Sequence, residues 1–565
     1  MKGGGDLSIV LCGGAGQGIQ TVETILLRLL AGAGFRVFAA KEYMSRIRGG
    51  SNSTQLRVSA EPVAAPVDRM DVFLPLDKAA LPHLRGRVGP ETLVLGDRNA
   101  LAARDEISED VPFSALATQA GGPIYANSVA VGALAGIMGL GAESTLASLR
   151  RDFSSKPSEV IEKNAAAARL GLERGRDIAS RRAVPRPAPP PRRGRQILVN
   201  GAEATALGAL AGGCDFIASY PMSPSTGVLT FLSRQAGAFG VIAEQAEDEI
   251  AAMNMAVGAS YAGARALVTT SGGGFALMVE GLSLAGMTET PIVVHLAQRP
   301  GPATGLPTRT EQADLEFALY AAHGEFPRIL LAPGNLEQAF RLARRAFDLA
   351  DRFQSPVILL TDQYLMDSFY DVPAFVLPDR SPERFIARTE RDYRRYRLTA
   401  DGLSPRGIPG FGDGLVAVDS DEHDEFGRIT EDLVLRARMV EKRQKKLGLI
   451  REAVLPPELY GPEEYATLVV CWGSTLEPVL EAVRTRGEAG MAVLHFPQVY
   501  PLPGQTAGYL GRARNVVCVE GNQSGQFAKL LKLAAGFDVH RRVLKYDGLQ
   551  YTVEELVRAL GEADG

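Results

Sequence analysis

The sequence predicts an α/β protein built from three doubly wound units, and three observations support this class. Short apolar runs alternate with helical stretches along most of the 565 residues. The chain is also longer than a single hydrophobic core usually supports. Its 61 glycines suit many tight turns between strands and helices.

The first unit is predicted over residues 1–183. Its apolar runs alternate with helical stretches such as Ile19–Ala33, which is the pattern of parallel strands joined by helical crossovers. The candidate strands are Leu7–Cys12, Phe35–Ala40, Asp71–Leu74 and Thr92–Gly96. Residues 184–195 follow as a Pro/Arg linker, because proline favours an extended backbone and arginine keeps it solvated.

The second unit is predicted over residues 196–384, where the alternation starts again. One helix is expected to open near Ser223 or Ser225, and others cover Glu249–Ala262 and Asn335–Asp351. The candidate strands are Asp215–Ser219, Gly240–Ala243, Ala266–Thr270, Pro291–Ala297, Arg328–Leu331 and Pro356–Leu360.

The rest of the chain divides into a connection and a third unit. Residues 385–460 are rich in charge and contain a basic helical run at Arg436–Lys446, so we interpret them as an extended connection or arm. Residues 461–565 form the third unit, with candidate strands at Leu468–Cys471, Ala492–His495 and Val516–Glu520.

Charge and cysteine usage limit the function. The 61 basic and 65 acidic side chains leave a net charge of -4, which provides no general attraction for nucleic acid or anionic lipid. The four cysteines form no CxxC pair, so we expect neither a zinc site nor an iron-sulfur cluster in this chain. We read no signal peptide and no membrane span, and therefore expect a cytoplasmic protein with reduced thiols.

The glycine loop Cys12–Gly18 follows a candidate strand and opens a helix, so its amides could hold a phosphate. The dinucleotide fingerprint is incomplete, because Ile19 occupies the position of the third glycine, although Glu42 mimics the acid that binds ribose. Three interpretations stay open: a phosphate-bearing ligand, a dinucleotide, or a structural turn. The nearby segment Ser45–Ser53 adds two guanidinium groups and is either an anion clamp or a solvated loop.

Two motifs of the second unit can carry chemistry. Tyr220–Thr226 places hydroxyl groups at the carboxyl end of a strand, although a simple capped turn would look the same. Glu249 ends an acidic cluster just before a helix of small apolar residues. It is either a half-buried carboxyl with a raised pKa, useful for proton chemistry, or an acid that favours the helix start.

The sequence favours structural rather than functional interpretations for His295 and His423. His295 lies in an apolar strand and is interpreted as a core histidine, whereas His323 could border the site. His423 lies among acidic residues at Asp419–Glu425, which we interpret as a solvated loop rather than a metal site.

Several co-ordered motifs together resemble one family, the 2-oxoacid:ferredoxin oxidoreductases, which use thiamine diphosphate, iron-sulfur clusters and coenzyme A. Tyr220–Thr226 resembles their YPITPS element, and Glu249, nine positions before Gly258, matches their thiamine-activating glutamate. Gln298–Asp314 resembles the substrate loop of the 2-oxoglutarate-type members, and Asp421–Gly427 is similar to another of their segments. The resemblance implies that the three units are, in order, a gamma-type domain, a pyrimidine-binding domain and a transketolase C-terminal-like domain.

The resemblance also implies roles for individual residues. Glu249 would activate thiamine diphosphate, and the substrate carboxylates would be oriented by Ser223, Arg299 and Thr308. Ser223 departs from the family's threonine but keeps the hydroxyl. Coenzyme A would contact Gly16, Gln17, Gly18 and Arg48. The family's magnesium-diphosphate motif is absent here, since Gly412–Gly414 follows no candidate strand. Magnesium, the diphosphate and [4Fe-4S] clusters would then belong to a beta subunit, in an (αβ)2 assembly that reduces ferredoxin.

The implied reaction interconverts 2-oxoglutarate and coenzyme A with succinyl-CoA, carbon dioxide and reduced ferredoxin. Its reductive direction would fix carbon dioxide, as in the reductive tricarboxylic acid cycle, but the sequence does not set the direction. Other readings stay open: the same chemistry on pyruvate, a branched-chain oxoacid or indolepyruvate, an NAD-linked enzyme that uses the glycine loop, or a scaffold subunit without catalysis.

Overall fold

The computed structural model describes residues 5–45, 50–102, 105–188, 194–377 and 382–561. These residues divide into two compact units. The first unit comprises the chain up to Val199 together with Ser368–Ala374 and Thr552–Glu554. The second comprises Asn200–Asp367, Phe375–Tyr551 and the chain from Glu555.

The described elements are numbered in chain order. The strands are β1 (Asp6–Gly14), β2 (Arg36–Glu42), β3 (Ser51–Ser59), β4 (Val72–Pro75), β5 (Leu93–Gly96), β6 (Glu109–Asp110), β7 (Gln196–Asn200), β8 (Phe216–Ser219), β9 (Ile242–Gln245), β10 (Ala266–Thr270), β11 (Ile292–Gln298), β12 (Ile329–Leu331), β13 (Pro356–Asp362), β14 (Phe369–Pro373), β15 (Glu458–Tyr460), β16 (Thr467–Trp472), β17 (Met491–Phe496), β18 (Gln498–Tyr500), β19 (Asn515–Glu520) and β20 (Arg541–Leu544). The α-helices are α1 (Ile19–Gly32), α2 (Ala80–Leu84), α3 (Arg98–Leu101), α4 (Phe113–Gln119), α5 (Ala126–Ile137), α6 (Ala142–Asp152), α7 (Ser158–Arg181), α8 (Gly201–Ala211), α9 (Thr226–Phe239), α10 (Glu249–Tyr261), α11 (Gly272–Met287), α12 (Leu315–Tyr320), α13 (Leu336–Phe353), α14 (Gln363–Asp367), α15 (Leu433–Glu452), α16 (Leu476–Arg486), α17 (Thr506–Arg512), α18 (Gln526–Ala535) and α19 (Val553–Gly561).

The first unit contains a mixed sheet with the strand order β6-β5-β4-β1-β3-β2-β14-β7. Strand β3 is antiparallel to both β1 and β2, so the expectation of parallel strands is wrong in this part of the sheet. Strand β3 is buried along almost its whole length, although its sequence is mostly polar. Arg57 in β3, for example, is buried against Asp6, with 2.7 Å between Nη2 and Oδ2.

Helices α5 and α7 of the first unit pack backbone to backbone. Small residues allow this approach, because a Cβ added at Gly132 or Gly171 would collide with a carbonyl oxygen of the facing helix. This packing buries the uncharged sequence of α5 inside the protein. No helix among the described residues is both long enough and apolar enough to span a membrane.

The second unit contains two further sheets. A seven-stranded sheet has the order β18-β12-β13-β11-β10-β8-β9 and is parallel except for β18. A five-stranded sheet has the order β15-β17-β16-β19-β20 and is parallel except for β15. Side chains from both sheets share one hydrophobic core, which includes Phe275, Leu296, Trp472 and Phe527. The predicted α/β class is therefore confirmed, while the limits 196–384 and 461–565 stay predictions within one compact unit.

Most predicted elements of the second unit lie within two residues of the observed ones, but one predicted cap is wrong. Helix α10 begins at Glu249, as expected, and β10 spans Ala266–Thr270. Helix α9 begins at Thr226, and the hydroxyl of Ser225 does not cap it. That hydroxyl donates instead to the carbonyl oxygen of Met222, at 2.7 Å.

The connection predicted as an extended arm has many buried side chains. It has little regular structure from residue 382 to residue 432, yet it buries charged and aromatic side chains against the second unit. Arg395 donates to the carbonyl oxygen of Glu289 at 2.7 Å, and Arg406 donates to Asp351 at 3.0 Å. Tyr396 donates to the carbonyl oxygen of Thr288 at 3.1 Å. Satisfied polar groups therefore compensate for the burial of this segment.

Helix α15 docks through a buried cluster of charges. The ammonium of Lys442 lies 2.5 Å from Oε1 of Glu289, and Lys446 pairs with the other oxygen of the same carboxylate. All three side chains are almost completely buried. Burial alone would raise the pKa of Glu289, but the charges of Lys446 and Lys442 outweigh it and hold this pKa well below its usual range. Burial also lowers the pKa of Lys446 to about 8.

We expect Glu289→Gln to destabilise the protein strongly, because two buried ammonium groups would lose their counter-charge. Breaking such buried pairs costs about 3–5 kcal/mol. Since the pKa of Glu289 is lowered on folding, its contribution is complete above the unfolded value near pH 4.3 and is lost as the pH falls below it. Denaturant unfolding at pH 7 and pH 3.5 should therefore show a larger difference between variant and wild type at pH 7. The control is Glu441→Gln, an exposed position of α15, where a change within about 0.5 kcal/mol is expected.

Candidate active site

The candidate site lies where the carboxyl ends of parallel strands meet at one edge of the seven-stranded sheet. Strands β8, β10, β11 and β13 all end there, because they run parallel in neighbouring positions. Tyr220–Thr226 follows β8, α11 follows β10, and the segment Arg299–Asp314 follows β11. Such strand ends are the usual ligand sites of open α/β sheets.

Glu249 is the first residue of α10 and is 4% exposed. Its neighbour Asp248 caps the helix by accepting from the backbone N–H of Ala251 at 2.8 Å. Burial raises the pKa of Glu249, and the charge of Asp248 raises it further. Its Oε1 atom is buried without a hydrogen-bond partner among the described residues. Both sequence interpretations hold, since this acid starts a helix and is also a buried carboxyl with a raised pKa.

The first turn of α11 lies against Glu249. It reads Gly272-Gly273-Gly274, and a Cβ added at Gly274 would lie 2.5 Å from Oε1 of Glu249. Only glycine fits beside that carboxyl oxygen, because a Cβ at this position would collide with it. The hydroxyl of Ser271, at the cap position of α11, is also buried without a partner among the described residues. A bound ring carrying hydrogen-bonding groups would satisfy these atoms.

Arg299 and Ser223 are brought together at the site. The guanidinium of Arg299 donates to the carbonyl oxygen of Ser223 at 2.8 Å, while the Ser223 side chain faces solvent. Burial lowers the pKa of Arg299, and the charge of Asp314 opposes this effect. Thr308 is buried further along the same segment. The site thus provides a half-buried cation beside an exposed hydroxyl, which suits a carboxylate ligand.

Two glutamines that the sequence interpretation did not single out hold the Arg299–Asp314 segment in place. Gln298 accepts from the backbone N–H of Asp314 at 3.0 Å and donates to the carbonyl oxygen of Thr361 at 3.1 Å. Gln312 is 2% exposed and bridges to the five-stranded sheet. Its side chain donates to the carbonyl oxygen of Trp472 at 2.9 Å and accepts from the N–H of Gly521 at 2.8 Å. Both ends of the segment are therefore anchored.

His295 is a core histidine, as predicted. It is completely buried, with Nδ1 2.7 Å from the Thr269 hydroxyl and Nε2 2.8 Å from the Thr361 hydroxyl. Burial lowers the pKa of His295 to about 3, so the ring is neutral and both of its nitrogens are satisfied.

Two other histidine interpretations are wrong. The backbone of His323 is hydrogen-bonded to Ser283, which lies eleven residues, or about 16 Å, along α11 from its first turn, so His323 does not border the site. His423 is not in a solvated loop, because it is fully buried against the ring of Tyr396, with 3.9 Å between ring centroids. The described residues contain no group of three His, Cys, Asp or Glu side chains arranged to hold a metal ion.

The glycine loop of the first unit has the expected strand-loop-helix geometry. Gly16 and Gly18 adopt left-handed backbone conformations, with φ of 89° and 79°. The N–H of Gly14, however, donates to the carboxylate of Asp77 at 2.6 Å, which takes up one of the amides expected for a phosphate. A cavity of about 170 Å³ lies beside the loop and is lined in part by Gln17 and Asn127. Arg48 lies outside the described residues.

The sheet order does not match a dinucleotide-binding unit. There, the acid that binds ribose follows a strand directly beside the first strand. In this sheet β3 lies between β1 and β2, so Glu42 at the end of β2 is two strands away from the glycine loop. This arrangement argues against the NAD-linked alternative.

Comparison with known proteins gives consistent matches along the chain. Residues 207–442 match the family model described as "Pyruvate flavodoxin/ferredoxin oxidoreductase, thiamine diP-bdg". Residues 8–174 match the model described as "Pyruvate ferredoxin/flavodoxin oxidoreductase". The two models cover most of the first unit and the part of the second unit that contains Glu249 and Arg299.

Individual relatives match over almost their whole length. The 2-oxoacid:ferredoxin oxidoreductase subunit alpha of Sulfolobus sp is 31% identical, covering 98% of this chain and 96% of that protein. The 2-oxoglutarate oxidoreductase subunit KorA of Mycobacterium tuberculosis is 30% identical, covering 98% and 91%. The solved 2-oxoglutarate:ferredoxin oxidoreductase from Magnetococcus marinus, with 2-oxoglutarate, coenzyme A and succinyl-CoA bound, superposes with a TM-score of 0.92 at 30% identity, covering 99% of this chain and 100% of that chain. The chain therefore belongs to the family of 2-oxoacid:ferredoxin oxidoreductase alpha subunits.

Proposed function

We propose that this chain is the catalytic alpha subunit, with a fused gamma-type domain, of a thiamine-diphosphate-dependent 2-oxoglutarate:ferredoxin oxidoreductase. The reaction would interconvert 2-oxoglutarate and coenzyme A with succinyl-CoA, carbon dioxide and reduced ferredoxin. One observation carries the proposal: the unpartnered carboxyl oxygen of Glu249 lies at the same strand ends as Arg299 and Ser223. The names of the KorA relatives and the solved structure with 2-oxoglutarate bound support the choice of substrate.

The residues fit thiamine diphosphate. When bound, this cofactor supplies the nucleophilic carbon and the electron sink that decarboxylation of a 2-oxoacid requires. Glu249 would hold a proton at its buried carboxyl and share it with a ring nitrogen, because its raised pKa favours the protonated form. The glycines at the first turn of α11 would leave room for the ring. Arg299, with Ser223 and Thr308, would bind and orient the substrate carboxylates.

Other components would come from a separate beta subunit. We propose that it holds magnesium, the diphosphate group and [4Fe-4S] clusters, and that the two subunits form an (αβ)2 assembly in the cytoplasm. The subunit names of the relatives support a partner chain. Ferredoxin would exchange electrons with the clusters. The four cysteines of this chain are buried free thiols.

Coenzyme A is proposed to contact the first unit at Gly16, Gln17, Gly18 and Arg48. The loop cavity is lined mostly by apolar groups, and Asp77 already binds the N–H of Gly14. These features suit an uncharged part of the coenzyme better than its phosphates.

We expect Glu249→Gln to abolish turnover, because an amide cannot exchange a proton as the carboxyl does. In the complex with the beta subunit, viologen reduction by the 2-oxoacid should fall about 100-fold or more. Glu247→Gln, an exposed position of the same acidic cluster, is the matched control and should keep wild-type activity. Calorimetric titration with thiamine diphosphate would separate lost binding from lost chemistry. Full activity in Glu249→Gln would instead favour the scaffold alternative.

The choice among oxoacids requires its own assay. We expect viologen reduction that depends on coenzyme A to be fastest, by kcat/KM, with 2-oxoglutarate rather than pyruvate or indolepyruvate. A preference for pyruvate or an aryl oxoacid would keep the chemistry and contradict the substrate. No reduction with any of the three, in a complex loaded with thiamine diphosphate and clusters, would contradict the function itself.

Gln312→Ala should weaken substrate binding, because the Arg299–Asp314 segment would lose its bridge to Trp472 and Gly521. We expect KM for the oxoacid to rise about tenfold. Gln338→Ala is the matched control, since Gln338 is equally buried and hydrogen-bonded but accepts from Gly334, away from the site. Both variants should lose stability in thermal unfolding. A KM change of equal size in the two variants would show that the effect is general destabilisation.

Gly18→Ala tests the coenzyme A site. Its added Cβ would collide with the side-chain amide of Asn127, which donates to the carbonyl oxygen of Gln17 at 3.2 Å, and the residue would be held at a positive φ. Either the loop or this hydrogen bond must therefore change. KM for coenzyme A should rise about tenfold or more, with KM for the oxoacid unchanged. Gly139→Ala carries a similar positive φ in the same unit but has free space around the new Cβ, and it should leave both KM values unchanged. Unaltered KM for coenzyme A in Gly18→Ala would place the coenzyme elsewhere.

A further inference from the structure

Three buried polar atoms without partners lie around the first turn of α11. They are Oε1 of Glu249, the hydroxyl of Ser271 and Oδ2 of Asp314, each lacking a hydrogen bond among the described residues. Asp314 reaches this turn from the end of the segment after β11, and a Cβ added at Gly272 would lie 2.6 Å from its Oδ2. Glu249 already has a role in the proposed function. Asp314 is half-buried but brings a second buried carboxyl oxygen to this turn, and a buried unpaired oxygen is costly unless a ligand or a proton compensates it.

The backbone of Asp314 cannot withdraw its carboxyl from the site. Its N–H donates to Gln298 at 3.0 Å, and its carbonyl oxygen accepts from the N–H of Ala318 in α12 at 2.8 Å. Gln298 is itself bonded to Thr361 at the end of β13. The backbone of Asp314 is therefore fixed at the end of the segment that carries Arg299, with the carboxyl against the first turn of α11.

The charges that face Asp314 come from few groups. Arg299, after β11, is the cation whose charge lowers the pKa of Asp314, and Glu311, in the same segment, is the anion that raises it. The first turn of α11 contributes no acidic side chain, only backbone N–H groups. Burial is the largest influence and raises the pKa of Asp314 to about 6. Close to neutral pH, small changes nearby therefore shift the protonation of this carboxyl.

We propose that Asp314 is a positioning residue that takes up a proton when a 2-oxoacid carboxylate binds to Arg299. Before binding, the ionised Asp314 attracts the guanidinium. An arriving carboxylate adds negative charge beside Asp314 and competes for the same cation, so the protonated form becomes favoured. The proton comes from solvent and stays on Asp314 while substrate is bound. The positive charge of Arg299 then acts mainly on the substrate, while its contact with the carbonyl oxygen of Ser223 does not involve Asp314. This inference rests on the proposed function, since it assumes that Arg299 binds the oxoacid.

The first test uses the complete complex and 2-oxoglutarate, without thiamine diphosphate for the titration so that the oxoacid binds without reacting, and with it for the kinetics. Calorimetric titration in two buffers of different ionisation enthalpy, at pH 7, should show uptake of up to one proton per substrate bound. KM should rise as the pH increases from 6 to 8, by at most about tenfold per pH unit, because only the protonated form of Asp314 is compatible with tight binding.

Variants then assign the effect to Asp314. Asp314→Asn should abolish the proton uptake and flatten the dependence of KM on pH. Glu311→Gln should move the midpoint to lower pH, since it removes the charge that raises the pKa of Asp314. Glu316→Gln, whose carboxylate pairs with Lys529 at 3.1 Å, is the control and should behave as wild type. Proton uptake that persists in Asp314→Asn, or is absent from wild type, would overturn the proposal.

A readout without substrate distinguishes this inference from the proposed function. Since folding raises the pKa of Asp314, its ionisation destabilises the folded chain as the pH rises from about 4 to about 6 and above. Asp314→Asn should therefore raise Tm relative to wild type at pH 7.5 and lose this advantage near pH 4. If that shift appears while no 2-oxoacid is turned over, the function fails but the raised pKa stands. If turnover is normal and the shift is missing, only this inference fails.

Discussion

The candidate site depends on how a single segment, Arg299–Asp314, is held between two sheets. Parallel strands bring the ends of β8, β10 and β11 together, but they do not fix a loop of sixteen residues. Gln298 fixes it to the seven-stranded sheet, and Gln312 fixes it to the five-stranded sheet. Because both glutamines are buried, these hydrogen bonds form away from competing water. The five-stranded sheet thus contributes to the site by holding the segment that carries Arg299.

At this site, burial shifts the pKa values of the ionisable side chains more than ion pairing does. Burial is the main reason why the pKa values of Glu249 and Asp314 are raised, and it also lowers the pKa of Arg299. Glu289 shows the opposite outcome, since two lysines compensate for its burial. The structure therefore contains a paired carboxylate that supports the fold and unpaired carboxyls that are available for chemistry.

The sequence predicted the parallel strands and the start of α10 well, because continuous apolar runs and a helix-starting acid are local signals. It failed where burial depends on distant partners. Strand β3 was missed because its polar residues are satisfied across the sheet, as Arg57 is by Asp6. The sequence predicted an extended arm for the connection, although α15 is held by Glu289, about 150 residues earlier in the chain. Gln312 lies inside the Gln298–Asp314 motif, but sequence spacing does not indicate its partners Trp472 and Gly521.

The first unit is discontinuous, and this has a consequence for how such chains could be divided or joined during evolution. Strand β14 belongs to its sheet, where Phe369 pairs with Ala39 and Asp371 lies 2.6 Å from the guanidinium of Arg36. A free-standing protein cut at the Pro/Arg linker would leave the edge of β2 uncovered. Exposed strand edges invite pairing with other chains. Separation into independent genes would therefore require a replacement for β14, and the fused arrangement supplies that strand from within the same polypeptide.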